Sequence, residues 1–417
     1  MPCADAHEPP ADLAPVEDPD AALAGALAEP QGAPRLGGLA RGASSVVITV
    51  PDASRPCPSP AVLRHILGEL RSADVPDERV RIAIGCGLHA ATTAAEREGL
   101  LGQDAFRRHE VADAHGVDST VVSLGRTSRG VPIDIVKDVA DADLTITVGV
   151  VEPHLYAGFS GGVKGVAIGC AGQTTIARTH RSDFISLPGV RLGQLQGNPF
   201  RETLAEIAAR TSLRWAVNVV VNEHGETAAV AAGDPSLVQS SLARTHASAW
   251  LRAVDGPVDV LVAGVHAPKS ANLYQASRAA TYIGLADRPA LREGGLIVLC
   301  ADLPEDAGDG PGERNFLDVL ASAGSPAELV ARGRRAQLGP GGQRSFVVAR
   351  VLERFRLGIV GTANPAFLAP LEHLGVTAFV SVDAAVAAAE TRLRRRARVL
   401  AVADSMATVV HRFRPSQ

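Results

Sequence analysis

Short runs rich in Val and Ile, each closed by a polar turn and mostly followed by a helical stretch, recur along this chain and restrict its fold more than any other feature. SSVVITV (44–50), RVRIAIGC (79–86) and DLTITVGV (143–150) have the length and β-branched content of buried strands. Helical stretches over 60–72 and 92–101 follow the first two, and a weaker strand, STVVSLG (119–125), falls before the third. Strands joined in this way form a parallel sheet with right-handed crossovers. A helix over 199–209, a strand WAVNVVVN (215–222), a turn at 223–225 and a long helical run over 236–254 come next. After Gly256-Pro257 the rhythm resumes with VDVLVAG (258–264), GGLIVLCAD (294–302), FRLGIVG (355–361) and TAFVSVD (377–383), with 332–356 mostly helical. The expectation is an α/β chain: two α/β domains with parallel-rich sheets and a site in the cleft between them. Its expected parts are a flexible lead-in (1–32) with one short helical stretch over 19–28, an N-terminal domain (33–255), a C-terminal domain (256–390) and a helical tail (391–417) that packs back on the N-terminal domain.

A length of 417 residues suffices for two or three cores. The net charge of −4 is made of interspersed charges of both signs, so neither nucleic acid nor a membrane surface is an expected partner. No apolar run reaches the roughly 18 residues of a membrane span, and MPCADAHEPP lacks the basic and apolar parts of a secretory signal. The five cysteines form no C-x-x-C pair, which argues against a disulfide framework and for a cytoplasmic setting. No G-x-G-x-x-G fingerprint is present, which disfavours a nicotinamide dehydrogenase.

The residues able to do chemistry fall just past strand ends. Asp52 and Arg55, His89, and His154 follow three different strands, and in open parallel sheets that edge binds ligands. Beyond His154, Ser160, Gly161 and Gly162 lead to Lys164, and glycine-rich backbone can present amides to an anion. Thr174-Thr175 opens a helical stretch that ends at His180. In the second unit Tyr274 and Arg278 share a helix face at i and i+4, with Gln275 beside them. Blander readings are a plain glycine turn, a surface histidine, and an Asp52 that caps a helix and pairs with Arg55. Two imidazoles from separate strand ends suit proton transfer on opposite faces of one carbon, and Arg55 with Arg278 suits a carboxylate. Proton abstraction beside a free carboxylate is difficult, which favours a hydride route and a cofactor.

PHLYAGFSGGVKG with TTIARTH, Asp-Ala-Ser-Arg-Pro at 52–56, GLHAATTAAE at 87–96 and Leu273-Tyr274-Gln275 together closely resemble the lactate racemase family, which uses a nickel pincer nucleotide. The resemblance covers roughly residues 20–390 and implies a racemase or epimerase of a 2-hydroxy acid, with hydride passing to the cofactor and a 2-oxo acid intermediate. It implies that Lys164 carries the cofactor, a Ni(II) pyridinium-3,5-bisthiocarboxylate mononucleotide, covalently, and that His180 ligates nickel. It gives the paired proton-transfer roles to His89 and His154. Asp52, Ala53, Ser54 and Arg55, with Ser160, Gly161 and Gly162, correspond to cofactor-binding positions, which makes the first domain the cofactor-binding one. Arg55, Tyr274, Gln275 and Arg278 correspond to the substrate side. Implied partners are the small 2-hydroxy acid and the proteins that synthesise the cofactor. Arg278 stands where the family has a lysine, and the only tryptophans, Trp215 and Trp250, do not match the family's C-terminal one, so the substrate's side chain stays open. Alternatives are a metal-dependent hydrolase or lyase with His89, His154 and His180 as ligands, and a non-catalytic nucleotide-binding module.

Overall fold

The structure, a computed structural model, describes residues 13–412 apart from 223, 337 and 407. The first twelve residues of the expected lead-in, the first position of the 223–225 turn and the last five residues of the expected tail therefore lie outside the described residues. The chain divides into two compact units, one of Leu13–His180 with Leu187–Ala247, the other containing Arg181–Ser186 and the chain from Ser248 onward.

The first unit contains helix α1 (Pro19–Ala28), strand β1 (Val46–Pro51), α2 (Ser59–Ser72), β2 (Val80–Gly87), β3 (Glu110–His115), β4 (Leu144–Val150), α3 (Gln173–Thr179), α4 (Pro199–Ala208), β5 (Leu213–Val221), β6 (Thr227–Gly233) and α5 (Pro235–Thr245). Its sheet runs β6-β5-β4-β1-β2-β3, parallel except where β6 lies antiparallel to β5. In register, Ile48 of β1 faces Ile82 of β2 and Ile146 of β4, and all three are buried. Side chains this apolar on consecutive positions fit a sheet covered on both faces. From β1 the chain moves outward through β2 and β3, then returns to the other side of β1 as β4. The order therefore reverses beside β1, and the loops leaving β1, β2 and β4 are neighbours at the edge where such sheets bind ligands.

The lead-in is corrected from residue 13 onward. Asp18 caps α1 by accepting from Asp20 and Ala21 N–H, Pro19 starts the helix, and Leu23 and Leu27, at i and i+4, are 2% and 3% exposed in the core of this unit. Burying two leucines stabilises by roughly 2 kcal/mol each, so the segment belongs to the fold. The weak strand near 119–125 instead spans Val121–Arg126 and forms an antiparallel hairpin with Pro132–Val136, outside the main sheet. The parallel edge strand is β3, whose polar sequence EVADAH gave no apolar run.

The second unit contains β7 (Val258–Gly264), α6 (Leu273–Gly284), β8 (Leu291–Cys300), α7 (Pro311–Ala321), α8 (Gly342–Leu352), β9 (Arg356–Val360), β10 (Val376–Phe379) and β11 (Val399–Val402). Its sheet is fully parallel, in the order β10-β9-β8-β7-β11. Two expectations are corrected here. The run 236–254 is no single helix: α5 stops at Thr245, and Leu251–Val254 is a strand paired in parallel with Val409–Arg412. Among the described residues the tail is not helical beyond Leu393: it contributes two short strands, Val399–Val402 and Val409–Arg412, and its order comes from the second unit. The buried Asp259 of β7 accepts from both terminal nitrogens of Arg395 and from Arg398 N–H, which brings β11 onto β7. No helix among the described residues is long and apolar enough to cross a membrane.

Candidate active site

Asp52 follows the last residue of β1, and His89 lies two residues beyond the end of β2. Because β1 and β2 are adjacent and parallel, the two side chains meet, with His89 Nδ1 2.6 Å from Asp52 Oδ2. Ser54 completes the arrangement by donating its N–H and hydroxyl to Asp52 Oδ1, at 3.1 and 2.6 Å. Burial alone would raise the Asp52 carboxyl. The hydrogen bond and charge of His89, with the Ser54 hydrogen bonds, outweigh burial and hold it at about 2. Asp52 thus stays ionised and fixes a proton on His89 Nδ1, leaving the lone pair of the neutral ring on Nε2. Most of the His89 side chain remains exposed. Ala53 is exposed and offers only backbone. Arg55 does not pair with Asp52; its guanidinium forms an ion pair with Glu152, in the loop after β4, across the point where the strand order reverses.

His154 has the opposite polarity at Nδ1, which accepts the N–H groups of Tyr156 and Ala157 at 3.3 and 3.2 Å. In the neutral ring the proton then sits on Nε2. The buried Tyr156 sets its ring edge-on to His154 and to His180, with centroids 6.0 and 5.7 Å apart. Phe200 of α4 closes against His180 at 5.4 Å. His180 ends α3 and points Nδ1 at the Ile176 carbonyl, 2.9 Å away, which leaves the lone pair on Nε2. Although the residue keeps some exposed surface, desolvation among these rings pushes its imidazole down to about 4; the Ile176 hydrogen bond acts against that shift, and the nearby charge of Lys164 adds to it. A neutral imidazole with one nitrogen tied to a carbonyl is the form that ligates a metal.

The glycine loop is held by hydrogen bonds with the strand before it and with two distant side chains. Ser160 is buried and donates its hydroxyl to the Val150 carbonyl at 2.6 Å, and Gly162 N–H donates to Asn218 Oδ1 at 2.7 Å. Gln239 of α5 donates to the carbonyls of Phe159 and Ser160. The Ser160 hydroxyl and the Gly162 amide are thus committed within the protein, and the loop they hold leads directly to Lys164. Gly161, at φ +77°, presses so closely on Asn218 that a Cβ would lie 2.7 Å from its Oδ1. The start of α3 is likewise engaged, since Gln173 N–H donates to the Gly116 carbonyl.

Glu152, Tyr156, Phe200, Asn218 and Gln239 were not singled out from the sequence. Asn218 left a signal there, as a lone amide inside the apolar run WAVNVVV. The others needed the fold. In the second unit, Asn272 caps α6 by accepting from Gln275 N–H, and the Tyr274 ring packs edge-on against Phe316 at 5.5 Å. Arg278 follows one turn later on the helix. Among the described residues no three His, Cys, Asp or Glu side chains are grouped so as to hold an ion by themselves. The hydrolase alternative therefore lacks its ligand set among those residues. A metal completed by an organic cofactor fits the donors that are present.

The family model described as lactate racemase N-terminal domain matches residues 5–193. Lactate racemase of Lactiplantibacillus plantarum is 30% identical over 391 residues, spanning 92% of this chain and 89% of that protein. Lactate racemase of Thermoanaerobacterium thermosaccharolyticum is 28% identical over 370 residues, 84% of this chain and 82% of that one. In fold, the chain is similar to the lactate racemase apoprotein from the latter organism, with a TM-score of 0.85 at 24% identity over 94% of this chain and 92% of that one. A protein from Thermotoga maritima shares the fold at a TM-score of 0.67 and 14% identity, over 97% and 99% of the two chains. The sheet order, the histidines at its edge and the likeness along nearly the whole length agree, and the chain belongs to the lactate racemase family.

Proposed function

We propose that this protein is a racemase or epimerase of a 2-hydroxy acid that works with a nickel pincer nucleotide bonded to Lys164 and ligated through nickel by His180. The observation that carries the reading is the opposite polarity of the two catalytic imidazoles. Asp52 holds His89 with a lone pair on Nε2, ready to take a hydroxyl proton, whereas backbone amides hold His154 with a proton on Nε2, ready to give one. Inversion requires those tasks on opposite faces of one carbon, and the roles exchange when the reaction runs the other way. When bound, the nickel pincer nucleotide supplies a reversible hydride acceptor, so that the bond to hydrogen at C2 can be broken and remade through a 2-oxo acid.

The chain's own contribution is placement. Asn218 and Gln239 fix the loop before Lys164, and Tyr156 with Phe200 holds the neutral His180 ring. Arg278 supplies a cation for the substrate carboxylate, with Gln275 and Tyr274 alongside. Arg55, oriented by Glu152, is assigned to the cofactor and substrate side of the first unit. Proteins that synthesise the cofactor are partners on this reading. Its cytoplasmic setting is supported by free thiols at Cys57, Cys86, Cys170 and Cys300.

The test is loss of optical purity. Protein matured in cells that make the cofactor should racemise a chiral 2-hydroxy acid from either enantiomer, and both His89→Ala and His154→Ala should stop it. Full activity in either variant would remove that histidine from the reaction.

A further inference from the structure

We propose that Arg344 is a specificity-determining residue that receives a second carboxylate of the substrate, so that the acid handled is a 2-hydroxy dicarboxylate in preference to a monocarboxylate. This rests on the racemase reading above and deepens it. Arg344 lies in the first turn of α8 and places its guanidinium carbon 5.8 Å from the centroid of the Tyr274 ring. Its Nε and Nη1 are enclosed by protein, yet neither reaches a hydrogen-bond acceptor among the described residues. A guanidinium keeps its charge at every relevant pH, and enclosed N–H groups without acceptors are costly and rare in native structures. The Tyr274 ring offers π density but no acceptor for N–H groups lying in the guanidinium plane. The missing acceptor is therefore an anion from outside the chain, and a carboxylate matches guanidinium best.

The neighbouring groups specify the rest of that ligand. Gln275 Oε1, adjacent in sequence to Tyr274, is also enclosed without a donor, which suits a hydroxyl or a protonated group of the same molecule. Arg278 follows Tyr274 by one turn on α6 and is already assigned to the C1 carboxylate. One cation for C1 leaves the second, Arg344, for the far end of the acid. A methyl group there would leave its N–H groups unsatisfied, and sites built for a polar partner discriminate strongly against analogues that lack it.

The experiment is calorimetric titration of the full-length protein, purified from cofactor-making cells, with 2-hydroxysuccinate and with lactate. Wild type is expected to bind the dicarboxylate at least about 10-fold more tightly. Arg344→Met, which keeps an apolar stem beside Tyr274, should lose that preference and retain affinity for lactate. Circular dichroism and the melting temperature verify that the variant is folded. Equal affinities in wild type, a preference unchanged in Arg344→Met, or binding of neither acid would overturn the proposal. Racemisation separates the two readings. Protein that racemises lactate and not 2-hydroxysuccinate refutes the role of Arg344 and leaves the racemase reading intact. An Arg344-dependent binding preference without racemisation of either acid supports the role of Arg344 and counts against the racemase reading.

Discussion

His89 Nδ1 lies 2.6 Å from the Asp52 carboxylate, although the residues are 37 positions apart and leave different strands. The contact turns a position that the family likeness assigns to cofactor binding into one that sets the proton on an imidazole. Asp52→Asn keeps the size of the side chain, removes its charge and lets the ring carry its proton on either nitrogen. Racemisation is expected to fall on the order of 10²-fold, within the range contributed by a positioned acid or base. The nitrogen-15 shifts of His89 should change from a single Nδ1–H tautomer to a mixture. An unchanged tautomer in Asp52→Asn would detach Asp52 from this role.

The His180 imidazole, held near 4, gives a stability signature with a definite sign. Between about pH 6.5 and 4 the unfolded chain binds a proton at His180 that the folded chain does not, so stability falls as pH falls through that window. Between pH 7 and 5 this amounts to about 2 kcal/mol for the cofactor-free protein. Urea unfolding of the first unit should show that loss in wild type and lack it in His180→Gln. Equal pH dependence in the two would place the imidazole in water.

Gly162 has φ +54°, and a Cβ there would lie 2.8 Å from the Pro235 carbonyl and 2.9 Å from Gln239 Cβ. Gly162→Ala is therefore expected to destabilise the first unit by about 1–3 kcal/mol and to displace Lys164. Thermal melting together with the yield of cofactor-modified protein measures both effects. A variant with wild-type melting and full modification would show that this close packing is dispensable.

Asp259 is 2% exposed and binds Arg395, Arg292 and the Arg398 amide. Asp259→Ala should loosen β11 and cost about 2 kcal/mol, less than a fully buried ion network because the arginine partners reach water. Hydrogen exchange at residues 399–402 should accelerate, while exchange in β1 and β4 stays unchanged. Full protection at 399–402 would deny Asp259 this role.

The strands that build the sheet centres were legible because burial on both faces demands unbroken apolar runs, as in Val46–Pro51 and Leu144–Val150. The residues ending them were legible for the same reason, since the functional edge follows from strand direction. Glu110–His115 escaped notice because an edge strand can remain polar; the helix over 19–28 was legible, and its burial was missed because the segment around it is rich in Ala, Pro and Asp. The Asp52–His89 and Arg55–Glu152 pairs depend on which strands are neighbours, and one-dimensional periodicity does not encode that order. Arg344 lay hidden in a stretch read only as helical, since nothing local marks an arginine whose partner lies outside the chain. The partners that hold the glycine loop were not legible, because Asn218 and Gln239 reach it from 56 and 79 or more positions away.

The central claim is a metallonucleotide held by Lys164 and His180, and intact-mass spectrometry with nickel quantification on matured protein tests it most directly. Wild type should show a covalent addition of nucleotide size with about one nickel per chain, Lys164→Ala should lose the addition, and His180→Ala should lose nickel. Matured wild-type protein with unmodified mass and no nickel, or an unchanged adduct in Lys164→Ala, would contradict it.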